Sequence, residues 1–336
     1  MEKIFIHLIP NCNHAVSLAN FLASLNSDEE HKIYLDPTKF HSKDYYTETK
    51  EIFSNTTFLD KKAYFRKDAI VIFHGLFSKI ALSLVGPMIR SSRKVAWAIW
   101  GGDTRLLSSE KNVQILNGLD FLLCAPGETA PHTDLLVPEL YCCPYVPPLK
   151  PINHQEKQNL IVLGNSGDPS NNHQYLFDIV RDIEGFDFYV PFAYNGSSEY
   201  LKKLTGIAEK IGISERMYFQ ESMISLHDYH EVFARAKAYL SAHERQQSLG
   251  TMQIAYRSNC KVFLRKSISK DGNSKFLNPA FLTLQMLGYP NIEDIADLAS
   301  AEGLSRFWAK GQNEINEINI RNPEYNNRIF DILKNK

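Results

Sequence analysis

Short apolar runs alternate with longer mixed segments from one end of this chain to the other. A parallel sheet covered by helices requires that rhythm, because a strand buried on both faces reads as a brief apolar run and each covering helix shows one apolar stripe. In the first half, residues 3–9, 32–35, 69–73, 95–100 and 119–124 predict strands, and 79–89 has helical spacing. The second half is more regular. Strands at 160–163, 186–190, 217–219, 238–242 and 261–264 alternate with helices at 173–181, 198–211, 228–236 and 249–256. In the helix at 198–211, Leu201, Leu204 and Ala208 form one stripe while Lys202, Lys203 and Glu209 face away from it.

Between the halves lies CCPYVPPLKPINHQEK, residues 142–157, whose four prolines support neither a helix nor a central strand. The domain joint is expected there. A length of 336 residues accommodates two domains. The pattern predicts an α/β chain of two Rossmann-like domains facing across a cleft, the first over 1–145 and the second over 155–315, with a helix at 316–336 packing back on the first. Ligands of such sheets bind at the carboxyl ends of strands, which directs attention to the loops there.

Composition narrows the partners. With 44% hydrophobic and 22% charged residues the chain can bury full cores, and 37 Lys and Arg against 38 Asp and Glu give a net charge of -1. No global positive field exists to hold nucleic acid. The longest apolar stretches, 69–77 and 80–89, are broken by His74, Ser78 and Pro87 and fall short of the ~20 residues that span a bilayer. The opening MEKIFIHLIPNCNHAV reads as a first strand running into a loop rather than as an export leader, so a cytoplasmic address is expected. Cys12, Cys124, Cys142, Cys143 and Cys260 contain no CxxC pair and read as reduced packing residues.

Three loops carry candidate chemistry. LGNSGDPSNNH, residues 163–173, leaves a predicted strand and enters a helix; Gly164 and Gly167 permit unusual backbone angles, Asn165 and Ser166 offer donors, and Ser170 or Asn171 could cap the helix. It suits a diphosphate, or is an ordinary capped turn in which Asp168 serves a sugar hydroxyl or the cap. SAHERQQSLGTMQIAY, residues 241–256, repeats the arrangement: Ser248, Gly250 and Thr251 fall where a helix opens, and Arg245 brings a planar cation suited to phosphate oxygens. The alternative is a surface pairing of Arg245 with Glu244. In the first half, FHGLF (73–77) and WAIWGGDTRLL (97–107) place His74, Trp100, Gly101, Gly102 and Asp103 at strand ends, where Asp103 could accept a proton or a hydroxyl hydrogen bond. Each of these also has a purely structural reading.

Familiar motifs are absent: no GxxxxGK, no GxGxxG after the first strand, no GxSxG and no DxD. HDYHE, residues 227–231, reads as a solvated helix face. No metal and no cofactor beyond an activated substrate is expected.

Taken together, GNSGD followed by S, N and H, then AHERQQSLGT, with FHG and WAIWGGD in the first half, resemble the TDP-N-acetylfucosamine:lipid II N-acetylfucosaminyltransferase family, a 4-alpha-L-fucosyltransferase family of enterobacterial common antigen synthesis. The resemblance runs from the first strand to about Leu264. It implies a GT-B glycosyltransferase that moves an amino-dideoxy sugar from a TDP donor to a polyprenyl-diphosphate-linked saccharide, with retention and without metal, peripheral on the inner face of the cell membrane. It further implies that Gly164, Asn165, Ser166, Gly167, Asp168, Gln246, Gln247, Ser248, Gly250 and Thr251 hold the donor, that Trp100 and Gly101 lie on the acceptor side, and that Asp103, His74 and Arg245 are catalytic. Gln247 stands where a Glu is common in related retaining enzymes, and Ala255 where a second Glu holds ribose; TDP, a deoxyribose donor, lacks one of those hydroxyls. Lys61, Lys62, Arg66 and Lys67, or the basic residues of 90–94, are the expected membrane contacts. Other readings are a nucleotide-sugar-binding subunit without turnover and a sugar-nucleotide epimerase of the same architecture.

Overall fold

The chain divides into two units, Met1–Pro148 with Arg321–Lys336 and Leu149–Ile320. The computed structural model describes residues 4–25, 29–39, 44–60, 65–91, 93–129, 134–141, 156–269, 275–286, 289, 292–299 and 330–335. Of the expected joint at 142–157, only Glu156 and Lys157 are among them.

In the first unit the elements run β1 (Ile4–Asn11), α1 (Asn13–Ser24), β2 (Glu30–Lys39), α2 (Tyr46–Ile52), β3 (Thr56–Phe58), β4 (Ile70–His74), α3 (Lys79–Arg90), β5 (Lys94–Ala98), α4 (Glu110–Leu116), β6 (Phe121–Cys124) and β7 (Glu139–Tyr141). The strands lie in the order β3-β2-β1-β4-β5-β6-β7, with every pair parallel. Alternation decides which face each residue covers. Ile4, Ile6, Leu8, Val71, Phe73 and Trp97 pack on one side of the sheet, and Phe5, Ile9, Ile33, Leu35, Ile70 and Ile72 on the other. Helix α1 begins at Asn13, where a loop was expected, and buries Ala15, Leu18, Ala19 and Leu22. That i, i+3, i+4, i+7 spacing is a helical signal that the polar start of the segment obscures.

The second unit contains β8 (Gln158–Leu163), α5 (His173–Val180), β9 (Asp187–Pro191), α6 (Ser198–Lys210), β10 (Met217–Gln220), α7 (Leu226–Arg235), β11 (Ala236–Ser241), α8 (Leu249–Arg257), β12 (Lys261–Leu264), a hairpin β13 (Ser267–Ser269) and β14 (Lys275–Leu277), α9 (Pro279–Met286) and β15 (Glu293–Asp294). Its main sheet, β10-β9-β8-β11-β12-β15, is again parallel throughout. Leu163, Phe177, Phe188, Leu204, Ala208, Leu240 and Phe263 share its core. In each sheet the first strand of the unit has neighbours on both sides that run off in opposite directions of the order, β2 and β4 about β1, β9 and β11 about β8. The loops at that switch are where doubly wound sheets receive ligands.

The expected C-terminal helix lies outside the described residues over 316–329, while 330–335 are helical. Phe330 packs edge-on to Phe5 at 4.8 Å and to His31 at 4.7 Å, and Leu333 is fully buried. Lys94 Nζ donates to the Leu333 and Lys334 carbonyls at 3.2 and 3.3 Å, capping the segment's last turn.

Three of the basic residues expected to meet a membrane have partners within the chain. Arg66 pairs with Asp68 at 2.6 Å, Arg93 donates to the Phe65 and Arg66 carbonyls and to Ser91 Oγ, and Lys94 is the cap just described. Lys61 and Lys62 lie outside the described residues. No helix among the described residues is long and apolar enough to cross a membrane. Cys12 and Cys260 are buried free thiols and Cys124 is buried; Cys142 and Cys143 lie outside the described residues.

Candidate functional site

At the switch of the second unit, β8 opens into residues 164–172 and β11 into 242–248. In the first loop the side chain of Asn171, fully buried, acts as the hub: Oδ1 accepts from the Asn165 amide at 2.8 Å, and Nδ2 donates to Ser166 Oγ and to the Asp168 carbonyl at 3.0 Å each. The Gly164 amide donates to the Leu240 carbonyl and the Gly167 amide to the Tyr194 carbonyl. Gly167 is required by close approach, since a Cβ there would sit 2.4 Å from Gly196 Cα. Asp168 accepts from the Ser170 amide at 2.9 Å and caps a short 3-10 turn, Pro169–Asn171. These bonds fit the capped-turn alternative, with Asp168 as its cap, rather than an open diphosphate cradle; the cap position of α5 is held by Asn172, at φ 51° and without a side-chain cap bond, not by Ser170 or Asn171. Burial lifts the Asp168 carboxyl, but the Ser170 bonds and the charge of Arg245 outweigh it and hold the group below its ordinary value.

The start of α8 is different in kind. Ser248 holds the N-cap position at φ 60° and makes no capping bond; its hydroxyl instead meets Tyr239 Oη at 2.7 Å. Thr251 Oγ1 meets Tyr229 Oη at 3.3 Å. A Cβ on Gly250 would meet nothing within 4 Å. Nothing in the protein's own packing therefore asks for glycine there, although a helical glycine costs about 1 kcal/mol relative to alanine. Arg245 is half-buried; Glu244, its suggested surface partner, pairs instead with Arg265 at 2.5 Å. Among the described residues no carboxylate lies within salt-bridge distance of Arg245. Amides opening a helix without a cap, beside an uncommitted guanidinium, suit an anion.

Four links bring the two loops together. Ser170 Oγ donates to Gln247 Oε1 at 2.9 Å, Asn172 Nδ2 donates to the Ala242 carbonyl at 2.9 Å, the Arg245 charge acts on Asp168, and His243 Nε2 lies 3.1 Å from Asn165 Oδ1. Gln247 thus ties one loop to the other, and Gln246 beside it is half-buried. His243, which the sequence motif contains but sequence reasoning did not single out, is buried with Nδ1 2.7 Å from Ser241 Oγ. Burial, then the charge of Arg245, pushes its pKa down to about 3.

The switch of the first unit assigns other tasks to its expected catalytic residues. Asp103 is completely buried; Oδ2 accepts from the Leu76 amide at 3.0 Å and Trp97 Nε1 at 2.8 Å, and Oδ1 from the Trp100 amide at 2.9 Å. It braces the β4–α3 and β5 loops, which corrects its expected role as a proton acceptor. His74 is equally buried, with Nε2 2.9 Å from His7 Nδ1, and His7 Nε2 lies 3.0 Å from His31 Nδ1. Burial lowers His74 to about 3, so it stays neutral inside the sheet rather than meeting a substrate. Gly101 opens the turn that presents Trp100, whose half-buried ring lies 4.6 Å from exposed His14 and 5.7 Å from Phe77. An aromatic surface of this kind suits a sugar face.

Comparison with known proteins adds to this geometry. No curated protein matches the chain by sequence. Among solved structures, the chain resembles an O-GlcNAc transferase mutant from Thermobaculum terrenum (TM-score 0.60, 11% identity, covering 100% of this chain and 64% of that one). It also resembles Anabaena HepE in complex with UDP and glucose (0.56, 10%, 91% and 96%) and the lipopolysaccharide outer core galactosyltransferase WaaB (0.56, 11%, 98% and 99%). The chain spans less than two thirds of the first of these. At such identities the likeness is one of fold, the GT-B fold. Residues 134–272, which include both loops of the second unit, match the family model for 4-alpha-L-fucosyltransferase, glycosyl transferase group 56. The match to the 4-alpha-L-fucosyltransferase family model is confined to that segment, and the structural likeness shows the GT-B fold of the chain.

Proposed function

We propose that the protein transfers an amino-dideoxy sugar, N-acetylfucosamine or a close relative, from TDP to a polyprenyl-diphosphate-linked saccharide in surface-glycan synthesis. One observation carries the reading most directly: α8 opens without a side-chain cap, with open space over Gly250 and Arg245 nearby, inside the segment that matches a fucosyltransferase family. The diphosphate sits at that helix start, where amides and guanidinium stabilise the negative charge that grows as the sugar departs, and no metal is needed for that task. The bond from the sugar to the phosphate breaks as the acceptor hydroxyl attacks on the same face, its proton passing to the departing phosphate, so the anomeric configuration is retained. With Gln247 bonded to Ser170 and alanine at 255, no carboxylate of this motif is left to bind a ribose hydroxyl, which favours a deoxyribose nucleotide. Trp100, His14 and Phe77 receive the acceptor sugar. The protein works at the cytoplasmic face of the membrane, where its lipid-linked acceptor resides.

A panel of TDP and UDP sugars, assayed against polyprenyl-diphosphate-linked saccharides, tests this. Transfer from a TDP amino-dideoxy sugar with retained anomeric configuration is expected, reduced about a hundredfold or more in Arg245→Ala and less in Ser248→Ala. Donor binding without transfer, or release of an epimer in the absence of acceptor, overturns the reading. Flotation with anionic vesicles tests the location.

A further inference from the structure

His243 and Asn165 form a contact that neither the family match nor the loop motifs assign. His243 sits at the end of β11 with three anchors. Its carbonyl accepts from Asn278 Nδ2 at 2.7 Å, its Nδ1 lies 2.7 Å from Ser241 Oγ, and its Nε2 lies 3.1 Å from Asn165 Oδ1. A neutral imidazole donates through one nitrogen and accepts through the other. Asn165 presents its oxygen to Nε2, so Nε2 carries the proton and Nδ1 accepts from the Ser241 hydroxyl. The backbone of Asn165 is held independently, its amide donating to Asn171 Oδ1 at 2.8 Å. With main chain and Oδ1 both fixed, the Asn165 Nδ2 group has one direction left, and among the described residues no protein acceptor meets it. The Asn165 side chain is half-buried, and the charge of Arg245 reaches its partner His243.

From this geometry we infer that His243 is a positioning residue: it locks the Asn165 amide so that Nδ2 donates hydrogen bonds to an acceptor oxygen of the bound sugar nucleotide. The inference rests on the donor site proposed above and deepens it. It assigns Asn165 the role of a donor-only contact, which a carboxylate of the same shape cannot fill, and it explains a histidine buried beneath the loops. Burial keeps the ring neutral throughout the physiological range, so the lock does not loosen with ordinary changes of pH.

The test uses the full chain, with TDP and its 4-acetamido-4,6-dideoxy sugar conjugate as ligands. Asn165→Asp preserves the acceptor that His243 Nε2 meets, removes the outward donors and adds a negative charge; Asn165→Ala, which adds none, should weaken binding as well if the donors matter. Calorimetry should show unchanged folding and at least about tenfold weaker binding. Loss with TDP as well places the acceptor oxygen on the nucleoside diphosphate, whereas loss with the conjugate only places it on the sugar. His243→Phe should weaken the same ligand, and the double variant should lose no more than Asn165→Asp alone, because one residue acts through the other. Nitrogen-15 NMR of the wild type should show His243 as the Nε2–H tautomer, a readout that survives if His243→Phe does not fold. An Nδ1–H tautomer, or equal binding by wild type and Asn165→Asp, overturns the inference while leaving the donor site intact. Failure of the wild type to bind either ligand overturns the donor site, and the inference with it.

Discussion

At the scale of single residues, burial decides what a polar group is for. Asp103 and Asp168 occupy similar places in the sequence, each after a glycine at the end of a strand, yet Asp103 is enclosed by three donors while Asp168 caps a turn half-open to solvent beside Arg245. Asp103→Asn puts an N–H where a donor already points. It should destabilise the first unit by about 3 kcal/mol, read as a lower denaturation midpoint, while turnover per folded molecule stays near wild type. Loss of turnover with an unchanged midpoint would restore Asp103 to catalysis. The sequence places these polar residues at strand ends. It could not say which are enclosed, since the enclosure of Asp103 also needs Leu76 from the loop after the neighbouring strand.

At the scale of elements, the two helix starts of the second unit look alike in sequence and differ in structure. The segment before α5 is filled by Asn171, while that before α8 stays open over Gly250. Gly250→Ala is the sharpest probe of this difference. With nothing within 4 Å of the added Cβ, the substitution should raise stability by about 0.5–1 kcal/mol and weaken donor binding, measured by thermal melting and calorimetry in the same samples. Stabilisation without weaker binding would move the diphosphate elsewhere. Strands β8, β9, β11 and β12 and helices α5 to α8 were legible because their apolar runs and stripes are long enough to show a period. Strands β3 and β7, of three residues each, are not: so short an edge strand is defined by its neighbour's hydrogen bonds rather than by its own pattern.

For the whole molecule, two parallel sheets stand in one chain, one of seven strands and one of six, each with its first strand between the second and the fourth, and the C-terminal segment is grouped with the unit that opens the chain. Phe330 carries that docking among Phe5, His7 and His31. Phe330→Ala should destabilise the first unit by about 3–5 kcal/mol, detectable as earlier unfolding or earlier proteolysis of that unit. The histidines set the response to acid. Burial lowers His31 and His173 to about 4 and His74 and His243 to about 3, while an unfolded chain binds those protons near 6.5. Below pH 6.5 the unfolded state therefore holds more protons. Stability should be full above that point and fall steadily as pH drops towards 4, measured as the melting temperature across a pH series. A flat profile between 6.5 and 4 would mean that these imidazoles are not held neutral.

The sequence alone determined the α/β class, the doubly wound rhythm and the two loops of the second unit, because strand and helix periods and the glycine, serine and arginine content of a turn are local properties. Tertiary structure alone decided that the first loop is closed by Asn171 and the second left open, that Asp103 and His74 are interior, that the basic residues Arg66, Arg93 and Lys94 have internal partners, and that His243 reaches Asn165 across 78 positions. Each of those outcomes depends on which side chains meet after parallel strands align, and alignment joins residues whose separation along the chain carries no pattern.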